Sequence, residues 1–211
     1  MHVKIDHLSK TIKNKPILRD VNAQFEHGAI YGIVGPNGSG KTMLLRAICG
    51  FIRPTTGQVL INSQPVEFNR RLPEAVGIII EEPGFLPYET AMDNLQYLAG
   101  INHDFDTTET DRLLTLFGLK GHEREKVKSY SLGMRQKLAI VQALMEHQRL
   151  ILLDEPTNGL DEHSVQMFLE EMTRQRDKGN TVVIASHHSD ELQQIADHFY
   201  HMADGVLTAE G

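Results

Sequence analysis

The sequence predicts an α/β fold built on a mostly parallel sheet, and three observations carry that prediction. Leu150-Ile151-Leu152-Leu153 and Thr181-Val182-Val183-Ile184-Ala185 are continuous apolar runs, the pattern of parallel strands covered on both faces. Between them a stretch with Val165, Phe168, Leu169 and Met172 on one face reads as a helix ending near Gly179. Strand, helix and strand in that order make a right-handed crossover unit. The third observation is a glycine-rich turn, Gly35-Pro36-Asn37-Gly38-Ser39-Gly40-Lys41-Thr42, set between the short apolar strand 30–34 and a helix opening at Met43.

Taken in order, the chain opens with an alternating segment, 1–6, that reads as a strand. Val21-Asn22-Ala23-Gln24-Phe25 alternates as a half-buried antiparallel strand does. Gln58-Val59-Leu60-Ile61 is a further strand after the turn at 54–57, and Val76-Gly77-Ile78-Ile79-Ile80 another. Residues 85–145 carry helical periodicity, as in Leu113-Leu114 with Phe117, and no clear strand, so they read as a helical insertion in an α/β core. The end of the chain, around Asp204-Gly205, reads as a closing hairpin.

Bulk properties bound the function. With 211 residues the chain fits one large domain, and 40% hydrophobic residues suffice for a buried core. A net charge of −7, with no basic run longer than two, argues against binding nucleic acid. The single cysteine, Cys49, points to a reducing compartment and to a buried structural thiol. No segment reaches the length of a membrane span and the N-terminus has no signal-peptide pattern, so a soluble, cytoplasmic chain is expected, with any membrane role exercised through a partner.

The glycine-rich turn meets every fixed position of a phosphate-binding loop. Its backbone N–H groups can turn inward on a triphosphate, and the following helix N-terminus adds partial positive charge. Lys41 can reach the β- and γ-phosphates, and the Thr42 hydroxyl can ligate Mg2+. Asp154 and Glu155 end the buried strand at 150–153, the edge where parallel sheets bind ligands. Asp154 is placed to hold Mg2+, directly or through water, and Glu155 to polarise the water that attacks the γ-phosphate. The eleven histidines include no Cys/His spacing that suits zinc.

Tyr130-Ser131-Leu132-Gly133-Met134-Arg135-Gln136 lies 18 residues ahead of Asp154, counted from Gln136. It resembles a variant of the signature sequence of ATP-binding-cassette (ABC) ATPases, usually Leu-Ser-Gly-Gly-Gln. Asn158-Gly159-Leu160-Asp161 resembles that family's D-loop, and Ser186-His187 follows a strand as its switch histidine does. The resemblance runs from Val3 to Leu207 and implies a P-loop NTPase (RecA-like) core with an N-terminal antiparallel β subdomain and an inserted α-helical signature subdomain. It implies one cassette over 1–211, with core and β subdomain at 1–84 and 146–211 and the helical subdomain at 85–145. ATP and Mg2+ are the expected ligands.

The resemblance further implies a head-to-tail pair of cassettes. ATP would lie on Gly35 to Met43 of one copy, under Ser131, Leu132, Gly133 and Met134 of the other. Asp161 would report across the interface, and His187 would hydrogen-bond the γ-phosphate or the attacking water. Ser131 also reads as an ordinary helix N-cap. The family usually has a glutamine where this chain has Glu81, followed by Glu82; a carboxylate there can ligate Mg2+ or position water. The aromatic that stacks on adenine corresponds to Ile12, which offers apolar cover without stacking. Ile80-Glu81-Glu82-Pro83-Gly84-Phe85 and the signature together resemble the ATPase subunits of bacitracin-resistance and lantibiotic-immunity exporters. Expected partners are a transmembrane permease and a second cassette, a homodimer in the simplest case. The alternative is a soluble single-cassette ATPase acting in assembly or repair.

Overall fold

The computed structural model describes residues 2–81, 84–102, 105–187 and 189–210. Glu82, Pro83 and His188 lie outside the described residues. The chain begins with an antiparallel pair, β1 (Val3–Ile12) and β2 (Lys15–Phe25). Both strands run beyond the alternating segments of the sequence. Residues 11–16 at the hairpin tip are solvent-exposed on both sides, so no hydrophobic period marks them. β4 (Thr56–Ile61) pairs with β1, and the two-residue β5 (Gln64–Pro65) completes a four-stranded antiparallel sheet ordered β2-β1-β4-β5.

The central sheet has six strands in the order β10-β9-β3-β8-β7-β6. β3 (Ile30–Val34), β6 (Val76–Ile79), β7 (Leu150–Asp154), β8 (Thr181–Ser186) and β9 (His198–Ala203) are parallel, and β10 (Val206–Ala209) turns back antiparallel on β9. The closing turn is Asp204-Gly205, with φ of 46° and 80°, the paired positive angles of a type I′ turn.

Every residue of β7 and β8 is buried, which is why their sequences do not alternate. Their side chains still point alternately to two cores. Leu150, Leu152, Val183 and Ala185 join the cluster formed with the antiparallel sheet and α1 (Lys41–Ile48). Ile151, Leu153, Val182 and Ile184 join the cluster formed with the helices. Burying a Leu or Ile of this kind contributes about 1.5–3 kcal/mol. The central sheet is thus the shared wall of two cores, and its strand ends are held from both sides.

Between β6 and β7 the chain is helical: α2 (Ala91–Asn102), α3 (Thr107–Leu116), a 3-10 turn (Val127–Ser129) and α4 (Leu132–Leu144). Asp106 caps α3 by accepting from the Thr108 and Glu109 amides. α5 (Glu162–Asp177) returns along the helical face to β8, and the short α6 (Ser189–Leu192) precedes β9. Arg112 of α3 bonds Glu109 through Nε and Nη2, both at 2.8 Å, and Glu171 of α5 through Nη1 at 3.0 Å and Nη2 at 2.8 Å. That charged network fastens the helical insertion to α5.

Candidate nucleotide site

The phosphate-loop sequence lies between the end of β3 and the start of α1. Gly40, with φ 118°, occupies the N-cap of α1 and offers no side chain to its amides. The first-turn N–H groups therefore have no side-chain cap and are available to an anion. Lys41 Nζ donates to the Gly35 carbonyl at 2.6 Å and the Pro36 carbonyl at 3.4 Å, and lies 3.5 Å from Glu155 Oε1. A cavity of about 170 Å³ opens over the loop, bounded by Asn37, Gly38, Thr42 and Met43, by Ile17 of β2, and by Asp154 and Glu155. Ser39 is buried beneath the loop.

Because β7 is flanked on both edges by parallel neighbours, its last residue is carried to the floor of this cavity. Thr42 Oγ1 donates to Asp154 Oδ2 at 2.5 Å. Burial raises the Asp154 carboxyl above the usual carboxylate range; Thr42 and Lys41 oppose the shift, while Glu155 and Glu81 add to it. Asp154 Oδ1 and Glu155 Oε1 are buried without a hydrogen-bond partner among the described residues. Two such oxygens beside a hydroxyl are the donor set that a hard divalent cation takes, so the residues fit Mg2+.

Glu155, at φ 48°, turns the chain after β7, and its amide bonds the Ala185 carbonyl at the end of β8. His187 Nδ1 lies 2.8 Å from Glu155 Oε2, and Ser186 Oγ donates to the same oxygen at 3.3 Å. The structure therefore brings Lys41, Thr42, Asp154, Glu155 and His187 to one edge of the sheet. Glu81 borders the same region. It faces a cavity of about 420 Å³ together with Leu132, Arg135, Asp154 and Glu155, and its Oε2 makes an ion pair with Arg46 Nη2 at 2.5 Å.

The signature residues open α4. Ser131 is its N-cap and accepts from the Met134 amide at 3.2 Å, while Leu132 stands 59% exposed. Gly133 packs closely on the D-loop, since a β-carbon there would sit 2.9 Å from the Gly159 carbonyl oxygen. Gln136 Nε2 donates to the Pro156 carbonyl at 2.8 Å. Asp161 caps α5 through the Ser164 amide and hydroxyl, both at 2.9 Å, and faces Lys137 Nζ at 3.5 Å. Those bonds hold its carboxyl at about 2.

Ile12 stands 41% exposed at the β1–β2 hairpin tip and is not among the residues that line the cavity over the phosphate loop. Ile17 lines that cavity, its carbonyl 3.2 Å from where a β-carbon on Gly40 would sit. Sequence reasoning missed Ile17 because no local pattern ties β2 to a loop some twenty residues away. It also missed Arg46, although its place four residues after Thr42 puts both on one helix face.

The model of the ABC transporter family matches residues 18–158. The lantibiotic transport ATP-binding protein SrtF of Streptococcus pyogenes is 33% identical over 208 residues, covering 99% of this chain and 90% of the relative. The bacitracin transport ATP-binding protein BcrA of Bacillus licheniformis is 34% identical over 214 residues, covering 99% of this chain and 69% of the relative. Among solved structures, the ATP-binding subunit of an ABC transporter superposes with a TM-score of 0.89 at 25% identity, covering 100% of this chain and 90% of that one. A phosphate loop facing an Asp-Glu strand end, a signature-like sequence at the N-terminus of α4 and relatives matched over 99% of this chain agree: this chain belongs to the ABC transporter family, as its ATP-binding ATPase component.

Proposed function

We propose that the chain is the energy-coupling subunit of an exporter of antimicrobial peptides, working on Mg2+-ATP and powering a separate transmembrane permease. The observation that carries the catalytic part is the convergence of Lys41, Thr42, Asp154, Glu155 and His187 at the carboxyl edge of β3, β7 and β8. The similarity to SrtF and BcrA over 99% of this chain supports the exporter part.

Lys41 and the first-turn amides of α1 hold the phosphates, while Ile17 and Met43 cover the apolar side of the nucleotide. Thr42 and Asp154 would hold Mg2+, which neutralises charge on the β- and γ-phosphates. Glu155 accepts a proton from the attacking water, and His187, bonded to the far oxygen of that carboxylate, keeps it aimed. Glu81 can reach the same region from β6. The exposed Ser131 and Leu132 suit closure by a second copy: the N-terminus of α4 faces the γ-phosphate of the opposite cassette, and Asp161 lies at that junction.

No helix among the described residues is long and apolar enough to cross a membrane. Attachment to the cytoplasmic face therefore falls to the permease. Its cytoplasmic helix would dock between the core and the helical subdomain, taken as 85–145. There Phe51, Ile80 and Gly84 line a cavity of about 160 Å³, with Leu86 and Tyr88 exposed beside it.

The test is purification from solubilised membranes with Glu155→Gln. The variant should accumulate as an ATP-bound dimer with a multi-spanning protein attached. Normal hydrolysis by Glu155→Gln would refute its role as base. A chain that purifies without any multi-spanning partner would overturn the exporter assignment in favour of a soluble ATPase.

A further inference from the structure

Arg46 and Glu81 are joined although neither belongs to a motif that requires the other. Arg46 lies one turn beyond Thr42, in the last turn of α1, and its Nη2 reaches Glu81 Oε2. Glu81 ends the run after β6 with φ 62°, a left-handed conformation that a side chain tolerates only when neighbours hold it there. The acid also brings a third carboxylate to a cleft that already contains Asp154 and Glu155. Lys41 pairs with Glu155 and Arg46 with Glu81, while Arg135 lines the same cleft.

The chain leaving Glu81 is anchored again five residues later. Buried Asn94 of α2 accepts from the Leu86 amide at 2.7 Å and donates to the Leu86 carbonyl at 3.1 Å and the Thr90 carbonyl at 2.8 Å. Glu81 is thus held to the phosphate-loop helix by Arg46, and Leu86 to the first helix of the insertion by Asn94.

We propose that Arg46 is a positioning residue: it neutralises the acid at position 81, so that the cleft beside Thr42 can accept the negative charge of a triphosphate. This rests on the nucleotide-site reading above. Arg46 is then needed because position 81 is Glu. With a neutral side chain there, the compensating charge would have nothing to balance. The competing role for Arg46 is to complement the carboxyl end of the α1 dipole, and that would act whatever residue stands at 81.

The experiment is a double-mutant cycle of Arg46→Ala and Glu81→Gln, read by equilibrium binding of a fluorescent ATP analogue with Mg2+ in the absence of turnover. With Glu81 present, Arg46→Ala leaves an unbalanced carboxylate near the triphosphate and should weaken binding by about tenfold. In the Glu81→Gln background the same change should cost less than about twofold. Arg46→Lys keeps the positive charge beside Glu81 and should restore most of the affinity. If Arg46→Ala alone does not fold, Arg46→Gln takes its place in the cycle.

An Arg46→Ala penalty of equal size in the parent and in the Glu81→Gln background, or no penalty in either, overturns the inference and leaves the proposed function standing. A parent protein that binds no nucleoside triphosphate overturns the proposed function and this inference with it.

Discussion

Thr42 Oγ1 donates to Asp154 Oδ2 at 2.5 Å, joining the first turn of α1 to the last residue of β7 across 112 positions of sequence. The two segments share one hydrogen bond, and Thr42 and Asp154 are the side chains proposed to hold Mg2+.

Thr42→Val keeps the shape of the side chain and removes the donor. The buried Asp154 carboxylate then lacks a partner on either oxygen, which should cost about 1–3 kcal/mol of stability in urea unfolding without nucleotide. The same change should abolish the Mg2+ dependence of ATP binding, whereas Thr42→Ser should keep both properties. Unaltered Mg2+ dependence in the valine variant would exclude Thr42 as a ligand.

Glu109 ties α3 to α5 and should make the fold acid-sensitive. The Arg112 hydrogen bonds hold its carboxyl at about 2, below its ordinary 4.5, with Lys178 and Arg174 assisting. A depressed acid stabilises the fold above its unfolded value, and that stability is lost as pH falls through the folded value. Glu109→Gln should therefore lower stability at neutral pH by about 3 kcal/mol at most. The gap between variant and parent should shrink from about pH 4.5 downward and close near pH 2, followed as the urea midpoint against pH. A gap independent of pH would show that packing, and not charge, makes this contact.

Nucleobase selection should be weak. Ile17 can cover a base by apolar contact but reads no hydrogen-bonding edge, so ATP and GTP should bind within about tenfold of each other. Ile17→Ala should weaken both nucleotides alike, and Ile12→Ala should do less from its exposed place on the hairpin. Competition binding with the two triphosphates decides this, and a strong preference for ATP would count against it.

The parts legible in the sequence are those with a local signature. The loop at 35–42 and the Asp-Glu strand end announce themselves by spacing, and β7 and β8 by unbroken apolar runs that the two cores explain. The pairing of β9 with β10 follows from Asp204-Gly205 in the same way. What the sequence hid is contact between distant elements. Ile17 reaches the loop through the antiparallel sheet, Arg46 meets Glu81 across the cleft, and Arg112 bridges α3 to α5 through acids 62 positions apart, Glu109 and Glu171. None of these pairs has a fixed spacing, because the fold and not the local chain sets their distance.

Gly133 gives the sharpest test of the signature. Its α-carbon packs so closely on the D-loop that an added β-carbon would lie 2.9 Å from the Gly159 carbonyl oxygen, and a backbone carbonyl cannot swing aside as a flexible side chain does. Gly133→Ala should therefore push the start of α4 off residues 158–161 at a cost of about 1–3 kcal/mol. The phosphate loop of the same chain is untouched, so binding of ATP to the monomer should survive, while ATP-driven dimerisation and hydrolysis should fall together. Ser131→Ala removes only a cap, about 1 kcal/mol, and separates loss of the cap from loss of the close approach. Light scattering with and without ATP measures the dimer. If Gly133→Ala dimerises and hydrolyses as the parent does, the contact between signature and D-loop is packing alone.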